Sequence, residues 1–389
     1  MNRSQSLAQN LAVQTQVNLP GTAGRLLKQI RDLEAVAPFF MEAGLVRSVS
    51  RPFPLNTRLS GVSTMYRVTP ALGGYLYISA AVMVDLKVEQ NSVSTQSQDS
   101  VSVIDDIGFE EQTKRLQLSE ISQSYELAGR ALESETRPDL LLFEGPLVLN
   151  RSLVPLRENA AHQAAFDSTC ARISAFWRNY RDRLYPWNPQ GVVVAGIATE
   201  RLGAIAAISQ QDLRTPEGRG QLLNMNSQML SVLNARLGKD NAIGSIGEKR
   251  FMQAVLGNHA RTAAFRMNAQ TPRMEPFDLV RECGVIGFHF RAGPGTEPRL
   301  VELLGGDEGW SDAALDRLAG ILMASTVLKG RHSLPLPLQL AKQQHGALPP
   351  FLQQYKNGLL SELKERNVED AWLSDLNGDG GDDMTGERT

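Results

Sequence analysis

The apolar positions change period several times along the chain, and each change marks an element. In "GRLLKQIRDLEAVAPFFMEAG" Leu26, Leu27, Ile30, Leu33 and Val36 recur at helical spacing, and Pro38 ends or kinks that helix. The stretch before it, 1–21, predicts a loose arm or a weak helix. From Arg58 the pattern turns β-rich. "TRLSGVSTMYRVT" and "GYLYISAAVMVDLKVEQ" flank a "PALGG" turn and predict a hairpin. "SVSTQSQDSVSVIDD" is polar and predicts a loop or a short edge strand. Helical period returns from Glu110 to about Glu135.

The next stretch is "RPDLLLFEGPLVLNRS". Its apolar run, Leu140 to Phe143, reads as a buried strand that leads into Glu144 and stops at Gly145 and Pro146. A long helix follows over roughly 159–184, with Phe166, Ile173, Phe176 and Tyr180 on one side. "QGVVVAGIATE" is a second buried strand and "GRGQLLNMNSQMLSVLNARL" a helix. "CGVIGFHFRAG" and "PRLVELLG" form a late strand pair. "SDAALDRLAGILMASTVLKG" opens on a Ser-Asp cap and continues as an apolar helix. Strands alternating with helices around a mixed sheet predict an α/β fold, and an antiparallel start followed by βαβ is compatible with an RNase H-like layout.

Four segments are expected: an N-terminal arm and helix over 1–50, the main domain over 51–345, a C-terminal helix over 346–366, and an acidic tail over 367–389. The tail, "NVEDAWLSDLNGDGGDDMTGERT", has the composition of a disordered segment.

Composition narrows the functional classes. The chain has 389 residues and 42% apolar content, enough for a substantial core. Lys and Arg total 40 against 42 acidic residues, so any nucleic-acid binding rests on a local patch. Cys170 and Cys283 are far apart and form no CxxC pair, which argues for structural thiols in an intracellular protein rather than a disulfide framework or zinc site. The polar N-terminus lacks the apolar core of a signal peptide, and no run approaches the roughly 20 apolar residues of a membrane span. A cytoplasmic protein with no membrane partner is expected.

Candidate chemistry starts at Glu144. α/β enzymes place catalytic groups at the C-terminal ends of central strands, although a strand-end carboxylate facing water is the simpler reading of the position alone. Glu126 lies on the preceding helix, which packs on the strand that follows it and so can bring two carboxylates together. Hard divalent cations need such oxygen clusters, and Asp85, Asp105 and Asp106 are further contributors that no spacing selects. In the tail, Asp375, Asn377, Asp379 and Gly380 fit the first positions of a calcium loop, but position 12 is Gly386 instead of the required Glu. "AGPGTEP" has no GK[ST], and neither GxSxG nor HExxH occurs. "FWRNYRDRLYPW" interleaves aromatics with arginines, a pattern that serves single-stranded nucleic acid or, more simply, aromatics in a core and arginines in solvent. "LKGRH", with Arg331, is a basic cluster at a helix C-terminus, where cations are favoured anyway.

Several segments, in order over about 50–345, resemble the NurA-domain nucleases, partners of the HerA hexameric DNA translocase. "LLLFEGPLVL" has the form of the family's apolar strand ending in Asp-Gly, with Glu144 in the Asp place. "YELAGRALE" puts Glu126 where the family has a helical glutamate. "GVVVAGIATERLG" resembles a strand that in the family ends near a lysine; Thr199, Glu200 and Arg201 stand here. "GFHFRAGPGTEPRLVELL" resembles the late strand pair and supplies Arg299 and Glu302. In "LPLPLQLAKQQ", Pro337, Leu338 and Ala341 fit the final segment, with Lys342 in the histidine place. In "RLSGVSTMY", Ser60 falls where the family has its first metal-binding Asp.

The resemblance implies an RNase H-like core and manganese-dependent chemistry on DNA ends, with magnesium as the alternative ion. It also implies a homodimer seated on a HerA-type ATPase. Glu126 and Glu144 would hold the metal, with Asp85 as a third ligand. Lys342 and Ser60 would occupy the remaining catalytic places, and Arg299 and Arg331 would contact nucleic acid. Two of the four chemical positions are replaced, and a Glu for Asp displaces the carboxylate by a methylene, which catalytic geometry tolerates poorly. Three readings follow: a metal-dependent DNA nuclease, a degenerate subunit that binds and regulates a HerA-type ATPase, or an unrelated α/β domain.

Overall fold

The computed structural model describes residues 6–35, 37–50, 54–90, 92–147, 149, 151–156, 159–198, 248–266, 284–306, 309–326, 333–369 and 372–373. The helix expected near 218–237, Thr199 to Arg201, Cys283, the "LKGRH" cluster with Arg331 and the acidic tail from 374 lie outside these residues.

α1 (Leu7–Glu34) joins the expected arm and helix into one element, with Pro20 inside it. Short α2 (Ala37–Glu42) and β1 (Val46–Ser48) follow. The hairpin forms as expected from β2 (Thr57–Ala71) and β3 (Gly74–Glu89), paired from Thr57–Val88 to Ala71–Gly74. The polar stretch after it is neither a loop nor a short strand. It is β4 (Ser92–Gly108), paired along β3 and exposed for nearly its whole length. β4 stands at the end of the sheet with one neighbour, where polar side chains discourage further pairing; its missing apolar alternation reflects that place, not a missing strand.

α3 (Gln112–Glu133), β5 (Leu140–Glu144), α4 (Ala160–Tyr180) and β6 (Val193–Ala198) complete the βαβ portion. α5 (Glu248–Val255), β7 (Ala260–Thr262), β8 (Phe265–Arg266), β9 (Val285–Arg291) and β10 (Arg299–Leu304) follow. Three helices close the described chain: α6 (Asp312–Ser325), capped by the Ser311 hydroxyl as its sequence predicts, α7 (Leu336–Gln344) and α8 (Leu348–Glu365). Among the described residues, no helix is long and apolar enough to cross a membrane.

Among the described residues, ten strands form one mixed sheet in the order β1-β7-β9-β10-β6-β5-β2-β3-β4, with β8 added on β9. β5 runs parallel to both β2 and β6, and the other neighbours are antiparallel. The chain is an α/β protein with helices on both faces of this sheet.

Side-chain parity divides the sheet in two. On one face Val62, Met83, Leu141, Phe143 and Val194 pack with Leu118, Tyr125 and Leu127 of α3 and Phe166, Phe176 and Trp177 of α4. The aromatics of "FWRNYRDRLYPW" are thus partly core, and two of its arginines lie over rings, Arg181 over Trp187 and Arg183 over Tyr180. Cys170 is buried in the same layer, and burial pushes its thiol up to about 12, away from reactivity. On the other face Leu59, Leu140, Leu142, Ile197 and Val301 pack with Leu315, Leu318 and Leu322 of α6 and Leu338 of α7. Further along, Val82, Val84 and Leu86 meet Ala341 of α7, and Met65 and Ile78 meet Leu348 and Leu352 of α8.

α7 lies directly on β2 at Gly61. A Cβ there would stand 2.6 Å from the Leu338 nitrogen and 2.7 Å from the Pro337 carbonyl carbon, both backbone atoms. Gly61→Ala is therefore expected to lift α7 from the sheet and destabilise the protein by about 1–3 kcal/mol, read from urea unfolding. An unchanged midpoint would show that α7 is not seated this closely.

Candidate functional site

β2 and β5 run parallel, and their register places Val62 beside Phe143. The next residues, Ser63 and Glu144, therefore stand side by side, both on the face covered by α7. The first turn beyond α7 is a short 3-10 segment, His345–Ala347. Lys342 and His345 are three residues apart, so both can reach the same patch of the sheet.

A four-residue cluster results. Lys342 Nζ donates to Glu144 Oε1 at 3.0 Å. The Ser63 hydroxyl donates to Glu144 Oε2, and Ser63 Oγ lies 3.1 Å from His345 Nε2. Because the single Ser63 proton goes to Glu144, His345 is assigned its proton on Nε2, donating to Ser63, and Nδ1 is left as an acceptor. That Nδ1 is buried and has no hydrogen-bond partner among the described residues. Burial lowers the His345 pKa to about 4, outweighing Glu144, which acts to raise it; Lys342 and Arg67 lower it further. The imidazole is neutral at neutral pH.

Two arginines lie near this cluster. Arg299 opens β10 on the same face, just past the end of β6. It is almost fully buried and its Nε donates to the Ser333 carbonyl at 3.3 Å. Burial lowers its pKa, while nearby Glu297 and Glu144 act to raise it. Arg67 lies four residues beyond Ser63 on the same face of β2, and its Nη1 is buried without a hydrogen-bond partner among the described residues. The inner members are closed to solvent: Ser63 is 0% exposed and His345 2%. Of the four, only the Lys342 and Glu144 side chains, 39% and 21% exposed, reach the surface.

The turn after Glu144 is fixed from below. Gly145 adopts φ 123°, open to glycine, and its N–H donates to the Ile197 carbonyl at 2.9 Å. The Leu147 N–H donates to the buried Glu302 carboxylate at 2.9 Å, and the Tyr125 hydroxyl donates to the Leu147 carbonyl at 3.0 Å. Glu302 thus holds the loop that carries Glu144, from the opposite side of the sheet.

The sequence-derived site residues do not all meet here. Glu144 and Lys342 come together, and Arg299 lies near them. Glu126 does not: α3 covers the opposite face, and the Glu126 carboxylate is held in a surface ion pair by Arg130 at 2.8 Å and Arg172 at 3.0 Å. Packing on the neighbouring strand put the helix on the right strand but on the wrong face for this pair. Ser60 also points to the α3 side, where its hydroxyl donates to Asp85. Asp85 accepts from Ser97 as well and, pairing with Ser60 across β2 and β3, faces away from Glu144. It is not a third ligand beside Glu144. Arg299 is too deeply buried to lie along an open phosphate track. The residues missed by sequence reasoning are Ser63, His345 and Arg67. His345 had a usable signal, its one-turn spacing from Lys342. Ser63 and Arg67 had none, because their side of the sheet depends on the β2–β5 register.

With this geometry the whole chain can be set beside known structures. The NurA nuclease from Sulfolobus solfataricus superposes with a TM-score of 0.57, covering 95% of this chain and 99% of that one at 13% identity. The fold is NurA-like. A second NurA structure gives a TM-score of 0.46 over 88% and 97% of the two chains at 9% identity. An endonuclease V from Bacillus subtilis gives 0.34 over 82% and 91% at 15% identity, and the fold assignment rests on neither of these. No family model matches the chain, and no curated protein matches it.

The NurA-like fold raises the question of a divalent cation, and the donor set answers it. Magnesium, manganese and similar ions take about six ligands, mainly oxygen, and two-metal hydrolysis needs several carboxylates around ions about 4 Å apart. Among the described residues no group of three or more His, Cys, Asp or Glu is placed to hold a metal. Glu144 has one oxygen on an ammonium and the other on a hydroxyl. The described centre does not fit a divalent ion.

The neutral, buried His345 sets a pH dependence. Between about pH 4 and pH 6.5 the unfolded chain binds a proton at this position that the folded chain refuses. The stability contributed by keeping His345 neutral is therefore full above about pH 6.5 and is lost as pH drops through that window, on the order of 3 kcal/mol. Urea unfolding near neutral pH and near pH 4.5 should show a smaller loss in His345→Gln than in the unaltered protein. Equal losses would mean that His345 is not held neutral.

Proposed function

We propose that this protein is a NurA-type DNA-processing subunit that acts at DNA ends together with a HerA-type hexameric ATPase. The observation that carries this reading is the likeness in fold to a NurA nuclease, extending over 95% of this chain and 99% of that one. The role favoured by the local geometry is binding DNA and regulating the ATPase, not metal-dependent cleavage. Glu144 is neutralised by Lys342, Ser63 is closed to solvent, and Glu126 and Asp85 are on the far side of the sheet. An arrangement of this kind offers a fixed charge pattern to a ligand, but no described cluster of acids to activate water.

A second reading, a NurA-type nuclease, is supported by the same likeness in fold. One set of assays separates the two. Purified protein is mixed with a HerA-type ATPase and with linear single- and double-stranded DNA, with and without manganese. Complex formation with a change in ATPase rate and intact DNA is the expected result. Manganese-dependent cleavage abolished by Glu144→Ala would replace it with the nuclease reading. Failure to associate with such an ATPase or with DNA would sink the NurA-type assignment itself.

A further inference from the structure

We infer that Lys342 is a built-in cation that takes the place of a divalent metal at Glu144, and that the centre holds a phosphodiester group of nucleic acid without any metal. The inference rests on the NurA-type DNA reading for the identity of the ligand, but not for the exclusion of metal.

Three observations lead to it. First, Lys342 Nζ is 3.0 Å from Glu144 Oε1, and Ser63 takes Oε2. A cation approaching this carboxylate would have to displace an ammonium that already satisfies its charge. Second, positive groups outnumber negative ones among the described residues at the centre. Lys342 pairs with Glu144, Arg299 lies near Glu297 and Glu144, Arg67 lies near His345, and burial keeps that imidazole neutral. Among these groups the surplus is one positive charge, which suits an anion. Third, one donor of the cluster is open to solvent. The Lys342 side chain is 39% exposed, beside the shielded Ser63 and His345. Its ammonium has three N–H donors and gives one to Glu144, and a phosphate oxygen accepts another.

The chemistry distinguishes this from a nuclease centre. In metal-dependent hydrolysis the carboxylates carry the metal and the metal meets the phosphate. Here the carboxylate orients a lysine, and the lysine meets the phosphate directly. Glu144 is then a positioning residue: it fixes the rotamer of Lys342 and is itself fixed by Ser63 and by the Gly145–Leu147 turn. A fixed ammonium on a nucleic-acid groove binds irrespective of sequence and is sensitive to salt.

The test uses the full chain and two readouts. Manganese binding is measured by electron paramagnetic resonance, on the unaltered protein and on Glu144→Gln. Binding of a fluorescent oligonucleotide is measured by anisotropy in chelator and in manganese, over a range of salt, for the unaltered protein, Lys342→Met and Lys342→Arg. The expected result is no stoichiometric manganese site and the same oligonucleotide affinity in both buffers. Lys342→Met should weaken binding by roughly three- to tenfold and lower the salt slope by about one, while Lys342→Arg restores most of it. One manganese ion bound per chain and lost in Glu144→Gln overturns the inference, as does oligonucleotide binding that requires manganese. Inorganic phosphate that displaces the oligonucleotide at equal concentration would assign the centre to a free anion and overturn the nucleic-acid part. If no oligonucleotide binds in any buffer, the DNA reading of the protein fails, and the manganese readout still decides the role of Lys342.

Discussion

Both oxygens of Glu144 are occupied, one by an ammonium and the other by a hydroxyl. A half-buried carboxylate must be compensated, since leaving it unpaired in a low-dielectric setting is costly. Once Lys342 and Ser63 do so, the surrounding choices follow. His345 stays neutral because burial removes the solvent that would stabilise its charge, and Lys342 and Arg67 add positive charge nearby. Ser63 must be small and must donate, because it bridges the carboxylate and the imidazole. The centre is a compensated cluster, and its chemistry follows from that compensation.

The backbone brings these groups together through close approaches. Gly61 lets the N-terminal turn of α7 rest on β2. Gly196 plays the same part under the turn after β5, since a Cβ there would stand 2.7 Å from the Gly145 carbonyl oxygen. Glu302 and Tyr125 then hold Leu147 from the far face. The sheet therefore acts as a plate whose two sides have different tasks. Both sides carry apolar core; the α3–α4 side also anchors the loop through Glu302 and Tyr125, and the α6–α7 side carries the Glu144 cluster.

Much of the fold was legible in the sequence because its elements have strong periods. The hairpin at Ala71–Gly74, the strand ending in Glu144, the late strand pair and the Ser311-capped helix all carry turn or cap chemistry that marks their ends. β4 was not legible, since an edge strand of serines and aspartates has no alternation to read. The site was legible only in part. Glu144 announced itself by position and Lys342 by resemblance, and they do meet. Glu126, Ser60 and Asp85 stand apart from Glu144 for one shared physical reason: a strand or helix sequence does not state which face of a two-sided sheet it serves. A one-residue difference in parity separates Ser60, which meets Asp85, from Gly61 and Ser63, which meet α7 and Glu144. The histidine beside Glu144 is His345, one turn beyond the position the resemblance selected.

In this NurA-like fold Lys342 and Ser63 take both oxygens of Glu144. The most direct test is a crystal grown or soaked in manganese and measured at the manganese absorption edge. The account predicts no anomalous peak at Glu144, with Lys342 Nζ remaining on the carboxylate. A peak within bonding distance of Glu144, with Lys342 swung away, would contradict it.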